Sequence, residues 1–284
     1  MLTRRLLLAT VPGFAAWSAV ADDAPPALQS YERDSGGRIG LYAENLTTGT
    51  TIAWRADERR VMCSTFKASL AAFVLARIDR GEDSLDARIA YSAADLLDYA
   101  PVAKENLAKG GLTVDEMCKA MVELSDNTFA NLLLARVGGP AALTGFWRAT
   151  GDGISRLDHN EPELNFSPPG DPRNTTTPVA MAGTLRRVVL GDVLTPASRD
   201  RLTGWMVDCK TGANRLRGGL PKHWTIGDKT GNNGIDAAGD IAIAWPRRNV
   251  PVVICAYTQG GTPTKAQLEA VFAAIGQLVG ERLG

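Results

Sequence analysis

The sequence predicts an α+β fold, with an all-helical domain inserted into an α/β domain whose sheet is antiparallel. Hairpin patterns stand near both ends of the chain, and most of the stretch between them has helical periodicity. Strand segments so far apart share a sheet only if the middle is an excursion, which leaves helices packed against one sheet.

The N-terminus reads as a signal for export. Arg4 and Arg5 precede Leu6-Leu7-Leu8, then an apolar run with Val11, Phe14 and Trp17, then Ala19-Val20-Ala21. A basic start, a short apolar middle and an A-x-A site are the order of a secretory signal peptide, here residues 1–21. Pro12 and Gly13 interrupt the run, which is too short to span a bilayer. Thr3-Arg4-Arg5-Leu6-Leu7 fits the twin-arginine route as well as the general one. No later run is long enough for a membrane helix, so a soluble periplasmic protein without an anchor is expected.

From Arg38 an apolar-rich segment, a Thr-Thr-Gly turn and Thr51 to Arg55 predict the first hairpin. Lys67 to Ile78 is apolar nearly all round and predicts a buried helix. Thr113-Val-Asp-Glu116 is a capping box that starts a helix toward Leu124. Asn127 or Thr128 opens another, ending near Gly138-Gly139-Pro140. Trp224 to Asp228 reads as a strand, Asp240–Trp245 and Val250–Tyr257 as the second hairpin, and Lys265–Leu283 as a long amphipathic helix. The α/β domain is therefore drawn from 22–58 with 208–284, and the all-α domain from 59–207. A cleft between two such domains is a usual place for a small-molecule site.

Charge narrows the function. Basic and acidic residues number 31 each, which gives no support to a nucleic-acid or polybasic membrane partner. Cleavage after Ala21 removes Arg4 and Arg5 and leaves 29 basic residues against 31 acidic. His159 and His223 are the only histidines, too few for a histidine-rich zinc hydrolase and a poor supply for a Ser-His-Asp triad. No metal or cofactor is expected. Cys118 and Cys255 lie in apolar runs and read as small buried hydrophobes, while the pairing of the four cysteines stays open. Nothing points to an oligomer, so a monomer is expected.

Three motifs carry chemistry. Ser64-Thr65-Phe66-Lys67 is an S-x-x-K at the start of the buried helix, which sets a hydroxyl and an amine one turn apart beside free N–H groups. A lysine there loses its charge more readily than a surface lysine, which suits proton transfer. Ser125-Asp126-Asn127 lies between two helices, where a plain turn with an Asn cap is the competing reading. Lys229-Thr230-Gly231 ends the predicted strand, with Gly231 allowing close approach of backbone to a ligand. Each motif alone has an ordinary structural explanation, but the three in this order do not.

The set resembles penicillin-binding proteins and, more closely, class A β-lactamases, over nearly all the chain after the signal. Arg156 to Asn165 resembles the family's omega loop, about residues 156–174, with Glu161 and Asn165 at the places that hold the hydrolytic water. Tyr99-Ala-Pro-Val resembles the aromatic gate of the cleft. The resemblance implies a β-lactamase/transpeptidase-like fold and hydrolysis of penicillins and cephalosporins, hence antibiotic resistance. It implies Ser64 as nucleophile, Lys67 or Glu161 as its base, Ser125 as donor to the leaving nitrogen, and Glu161 as activator of the deacylating water. It further implies Asn127 for the substrate amide, Lys229 in the substrate site as electrostatic help to Ser125, Thr230 and Arg215 for the substrate carboxylate, and the N–H groups of Ser64 and Asn232 for the oxyanion. A D,D-peptidase would carry the same three motifs but lack the Glu161–Asn165 loop, a non-hydrolysing β-lactam sensor would lack the deacylating glutamate, and turnover of glutamine would mark a serine glutaminase.

The sequence departs from the family at two places. An arginine–aspartate pair usually closes the base of the omega loop, and here His159 and Asn174 stand there, which predicts a weaker closure and a looser loop. Some carbapenem-hydrolysing members pair the cysteine before the nucleophile with one two places after K-T-G. Asn233 occupies that place, so Cys63 is expected to be unpaired.

Overall fold

The computed structural model describes residues 25–284, and the expected signal peptide lies outside the described residues. In chain order the elements are α1 (Pro26–Ser35), β1 (Arg38–Asn45), β2 (Thr51–Trp54), β3 (Arg60–Val61), α2 (Phe66–Asp79), β4 (Arg88–Ala90), α3 (Pro101–Glu105), β5 (Gly111–Thr113), α4 (Val114–Glu123), α5 (Asn127–Val137) and α6 (Gly139–Ala149). They continue with β6 (Thr175–Thr176), α7 (Pro178–Val189), α8 (Pro196–Val207), α9 (Leu216–Gly219), β7 (Thr225–Asn232), β8 (Ala238–Trp245), β9 (Val252–Gln259) and α10 (Lys265–Leu283).

One antiparallel sheet of five strands runs β2-β1-β9-β8-β7 and joins the two ends of the chain. The pairing of β1 with β9 sets Arg38 opposite Gln259 and Asn45 opposite Val252. Both faces of the sheet are covered. On one, Leu41, Ile254 and Ala256 pack with Phe272, Ile275 and Val279 of α10. On the other, Ile241, Ile243, Val253 and Cys255 meet the helices that lie between the strands in sequence. Two covered faces explain why Ile241–Trp245 of β8 and Val252–Tyr257 of β9 read as apolar runs without alternation.

The helix starts follow their caps. Thr113 and Glu116 form the expected capping box on α4, and Thr264 with Gln267 forms another on α10. The α5 helix opens at Asn127 as the sequence indicates, and its cap is Asp126, not the Asn of the competing turn reading: Asp126 Oδ1 accepts from Phe129 N at 3.1 Å. An ionised carboxylate at a helix N-terminus outcompetes the amide beside it. The α2 helix is buried over most of its length, as its composition requires. Lys229-Thr230-Gly231 lies inside β7 and does not end it, because the ladder with β8 continues through Gly231 opposite Gly239 to Asn232 opposite Ala238. All four cysteines are free and buried.

Candidate active site

The nucleophile candidate sits on a tight turn between β3 and α2. Cys63–Thr65 forms a single 3-10 turn that runs into α2, and Cys63 holds φ 45°. A left-handed non-glycine residue costs about 1–3 kcal/mol, strain that concentrates at functional sites. The turn sends the Ser64 hydroxyl toward Lys67, whose Nζ donates to Ser64 Oγ at 2.9 Å. Lys67 also donates to Ser125 O at 2.9 Å, Ser125 Oγ at 3.3 Å and Asn127 Oδ1 at 2.5 Å, and lies 3.1 Å from Glu161 Oε1. An ammonium has three protons for these five acceptors, so Lys67 is shared among them.

Ser125 is reached from two sides. Lys229 Nζ donates to its Oγ at 3.1 Å and to Thr230 O at 2.8 Å. Ser125 itself holds φ 61°, a second left-handed residue in the same few ångströms. Asp126 fixes it there: its Oδ2 accepts from Val102 N at 3.0 Å and Ala103 N at 2.9 Å, while its other oxygen caps α5. Both lysines are fully buried. Burial pushes the Lys67 pKa down against the pull of the Glu161 carboxylate. Burial likewise brings Lys229 down to about 8, Cys209 opposing that fall and Lys67 adding to it.

Glu161 comes from the omega loop. Its Oε1 accepts from Ser64 Oγ at 3.2 Å, and its Oε2 accepts from Asn165 Nδ2 at 2.6 Å. One serine hydroxyl thus accepts from an amine and donates to a carboxylate, an arrangement suited to nucleophilic attack with proton removal.

Gly231 explains how β7 approaches the nucleophile. A Cβ there would fall 2.7 Å from Ser64 N and 3.0 Å from Met62 O, so only glycine lets the strand lie this close. The close approach is therefore to the nucleophile's own turn, beside the Ser64 N–H. The β7 strand is the edge of the sheet, and Asn232 is its last, exposed residue. Tyr99 stands exposed near the start of α5, its carbonyl accepting from Asn127 N at 3.0 Å. Thr230 Oγ1 meets Thr211 Oγ1 at 2.6 Å. Arg215 is the one predicted residue whose side chain is committed elsewhere: its Nη1 donates to Gly231 O and Gly239 O, both at 2.9 Å. Two carbonyls of the β7–β8 end thus share one nitrogen of the guanidinium.

Against known proteins, the model of the β-lactamase enzyme family matches residues 25–283. The chain belongs to that family, class A. It is 46% identical to β-lactamase L2 of Stenotrophomonas maltophilia over 282 residues, covering 98% of this chain and 93% of that one. An ancestral class A β-lactamase (GNCA) superposes with a TM-score of 0.86 at 53% identity, over 89% of this chain and 97% of that one. A β-lactamase from Xanthomonas campestris pv. campestris gives a TM-score of 0.88 at 46% identity, over 91% and 96%.

Two residues of this β-lactamase site escaped the motif reading. Asn131 clasps the backbone of Glu161, its Oδ1 accepting from Glu161 N and its Nδ2 donating to Glu161 O, both at 2.9 Å. Its spacing held a signal, since it follows Asn127 by four and shares that face of α5. Thr211 had none, because its contact with Thr230 crosses from the loop after α8 to a strand.

Proposed function

We propose that this class A β-lactamase opens the lactam ring with Ser64 and clears the resulting ester with Glu161. Hydrolysis of the β-lactam amide is the activity of the family, and the residue roles are the step taken here. Ser64 Oγ attacks the lactam carbonyl as its proton passes to Glu161 or Lys67, both within hydrogen-bond reach. The carbonyl oxygen becomes an oxyanion beside the N–H groups of Ser64 and Asn232, and losing one such donor typically costs about 3 kcal/mol of transition-state stabilisation. As the C–N bond breaks, Ser125 gives its proton to the leaving nitrogen and is resupplied through Lys67 and Lys229. Water then attacks the ester, Glu161 takes its proton, and Ser64 leaves as the hydroxyl.

Asn127 is assigned to the substrate's side-chain amide, Asn165 to the hydrolytic water, Tyr99 to the mouth of the cleft, and Lys229 with Thr230 to the carboxylate. Gly231 lets Asn232 come within reach of the oxyanion. Arg215 is assigned to holding the β7–β8 end in place, and contributes to carboxylate binding through it. The boundaries 22–58 with 208–284 and 59–207 are proposed for the two domains, the sheet and α10 supporting the first. Export to the periplasm through residues 1–21, and a monomer acting on a small-molecule β-lactam, complete the proposal. Among the described residues no helix is long and apolar enough to cross a membrane.

The observation that carries the reading is the Glu161 carboxylate in direct contact with the nucleophile, the feature that separates turnover from permanent acylation. Steady-state hydrolysis of a chromogenic cephalosporin, wild type beside Glu161→Gln, tests it. Rapid turnover is expected for the first, and for the second a stable adduct on Ser64 seen by mass spectrometry. Equal turnover by both would remove Glu161 from the mechanism.

A further inference from the structure

The base of the omega loop is closed by a hydrogen bond that works in one protonation state only. Asn174 is buried, with φ 58°, and its side-chain amide is fixed by backbone. Its Oδ1 accepts from Asp158 N at 2.9 Å and His159 N at 3.1 Å. Backbone N–H groups can only donate, so the oxygen must face them and Nδ2 must face the histidine. That Nδ2 lies 2.9 Å from His159 Nδ1. An amide nitrogen with its own protons can only donate there, so Nδ1 must carry no proton and the ring must be the neutral Nε2–H tautomer. Adding a proton to Nδ1 sets two donors against each other. The amide cannot flip in reply without turning Nδ2 onto two backbone donors.

The same residue ties the loop to the nucleophile. Asn174 O accepts from Met62 N at 3.0 Å, two residues before Ser64, while Asn174 N donates to Asp158 Oδ2 at 3.2 Å. One side therefore holds the segment leading into Glu161 and the other holds the turn carrying Ser64. We propose that His159 is a positioning residue: its unprotonated ring, latched to Asn174, keeps Glu161 set against Ser64, and protonation of the ring releases the latch and slows deacylation. This rests on the assignment of deacylation to Glu161.

The charged groups around the latch are few. Asp158 is next in sequence and its carboxylate is engaged by Arg156, and the Asp171–Arg173 pair lies on the same loop. From just before β3, Arg59 bonds Thr175 Oγ1, the neighbour of Asn174. From α5 the segment is met by the neutral Asn131, and beyond it lie Glu161 and Lys67. Asp158 gives a protonated ring a carboxylate to turn toward, so the released state has its own partner.

The test is the single-turnover deacylation rate from about pH 8 down to about pH 5, the range in which a histidine changes charge, for wild type and His159→Gln. Wild type should lose on the order of tenfold or more at the acid end, since displacing a catalytic group by about 1 Å costs on the order of 100-fold. His159→Gln keeps an acceptor for Asn174 Nδ2 and cannot be protonated. It should match wild type at the upper end and lose the acid limb, while acylation rates stay alike. An acid limb identical in the two proteins would overturn the proposal. Nitrogen NMR of the wild-type imidazole gives a readout independent of turnover. A proton-free Nδ1 at neutral pH supports the latch, and a protonated Nδ1 with the loop closed sinks it even if the variant fails to fold. A stable adduct in Glu161→Gln beside a flat wild-type pH profile would defeat the latch and leave the assignment of Glu161 standing.

Discussion

The two halves of the catalytic site are built to different standards. Ser64, Lys67, Ser125 and Lys229 sit on or against a buried helix and a five-stranded sheet, with both lysines wholly out of water. Glu161 sits on a loop held by three asparagines, namely Asn131 on its backbone, Asn165 on its carboxylate and Asn174 at the base. The first half is fixed by packing, where a small change in volume is felt as strain. The second is fixed by hydrogen bonds from asparagine amides, a typical neutral one being worth only about 0.5–1.5 kcal/mol net, together with the Lys67–Glu161 contact at 3.1 Å. Acylation, where Lys67 in the first half takes the Ser64 proton, should resist perturbation until packing fails. Deacylation, which needs both, should yield to single hydrogen-bond losses and to acid.

Gly231→Ala tests the packed half hardest. The new Cβ would press on Ser64 N and Met62 O, backbone atoms that cannot swing aside. Overpacking of this kind costs about 1–3 kcal/mol of stability. Pushing Ser64 from its place by about 1 Å should slow acylation on the order of 100-fold. Chemical denaturation and the burst phase of a chromogenic substrate read the two effects. A variant with wild-type acylation would show that the strand and the turn are not packed as tightly as the Cβ contacts imply.

The same division decides what could be read from the sequence. The packed half was legible because each part has a local signature. Lys67 was legible from the apolar run that follows it, and Ser125 from its place between a capped helix and the next. Lys229 was legible from the strand that carries it. The antiparallel sheet shared by the two ends followed from the two hairpins, while its strand order did not, and α10 followed from its periodicity. Arg215 was read as a carboxylate ligand, and its carbonyl partners Gly231 and Gly239 had no local signal, because a guanidinium N–H donates equally to a carboxylate or to backbone carbonyls. The loop half was legible only by resemblance. Nothing local says that Asn131, 30 residues from Glu161, holds both its backbone groups. His159 and Asn174 were visible as a departure, but the one-directional hydrogen bond between them needs the backbone donors that fix the amide.

Asn131→Ala breaks the loop half without touching the packed one. It leaves Glu161 N and O without their partners, and an unsatisfied buried group costs about 1–3 kcal/mol. Deacylation should fall roughly tenfold, short of the on the order of 100-fold that a full ångström of displacement brings. Acylation should hold, so an acyl-enzyme accumulates that wild type does not show in quenched-flow mass spectrometry. Equal losses in both steps would make Glu161 the base of acylation as well as of deacylation.

The smallest effect concerns Lys229 and separates its two jobs by sign. Its pKa lies at about 8 in the folded protein against 10.5 for an ordinary lysine, because it is buried. Above that folded value the ammonium is lost and a charge-assisted bond to the substrate carboxylate goes with it. KM should then rise about fivefold between about pH 7 and about pH 9.5, a charged hydrogen bond being worth at most about 3 kcal/mol and Thr230 remaining in place. Stability should move the opposite way. Between pH 8 and 10.5 the unfolded chain binds more protons at this position than the folded one, so unfolding becomes harder as pH rises through that window. Worse binding by a more stable protein is a pairing that general alkaline damage cannot produce, since damage would lower both. A KM that stays flat while stability rises would keep Lys229 buried and proton-poor but take it off the substrate, leaving it to Ser125 Oγ and Thr230 O.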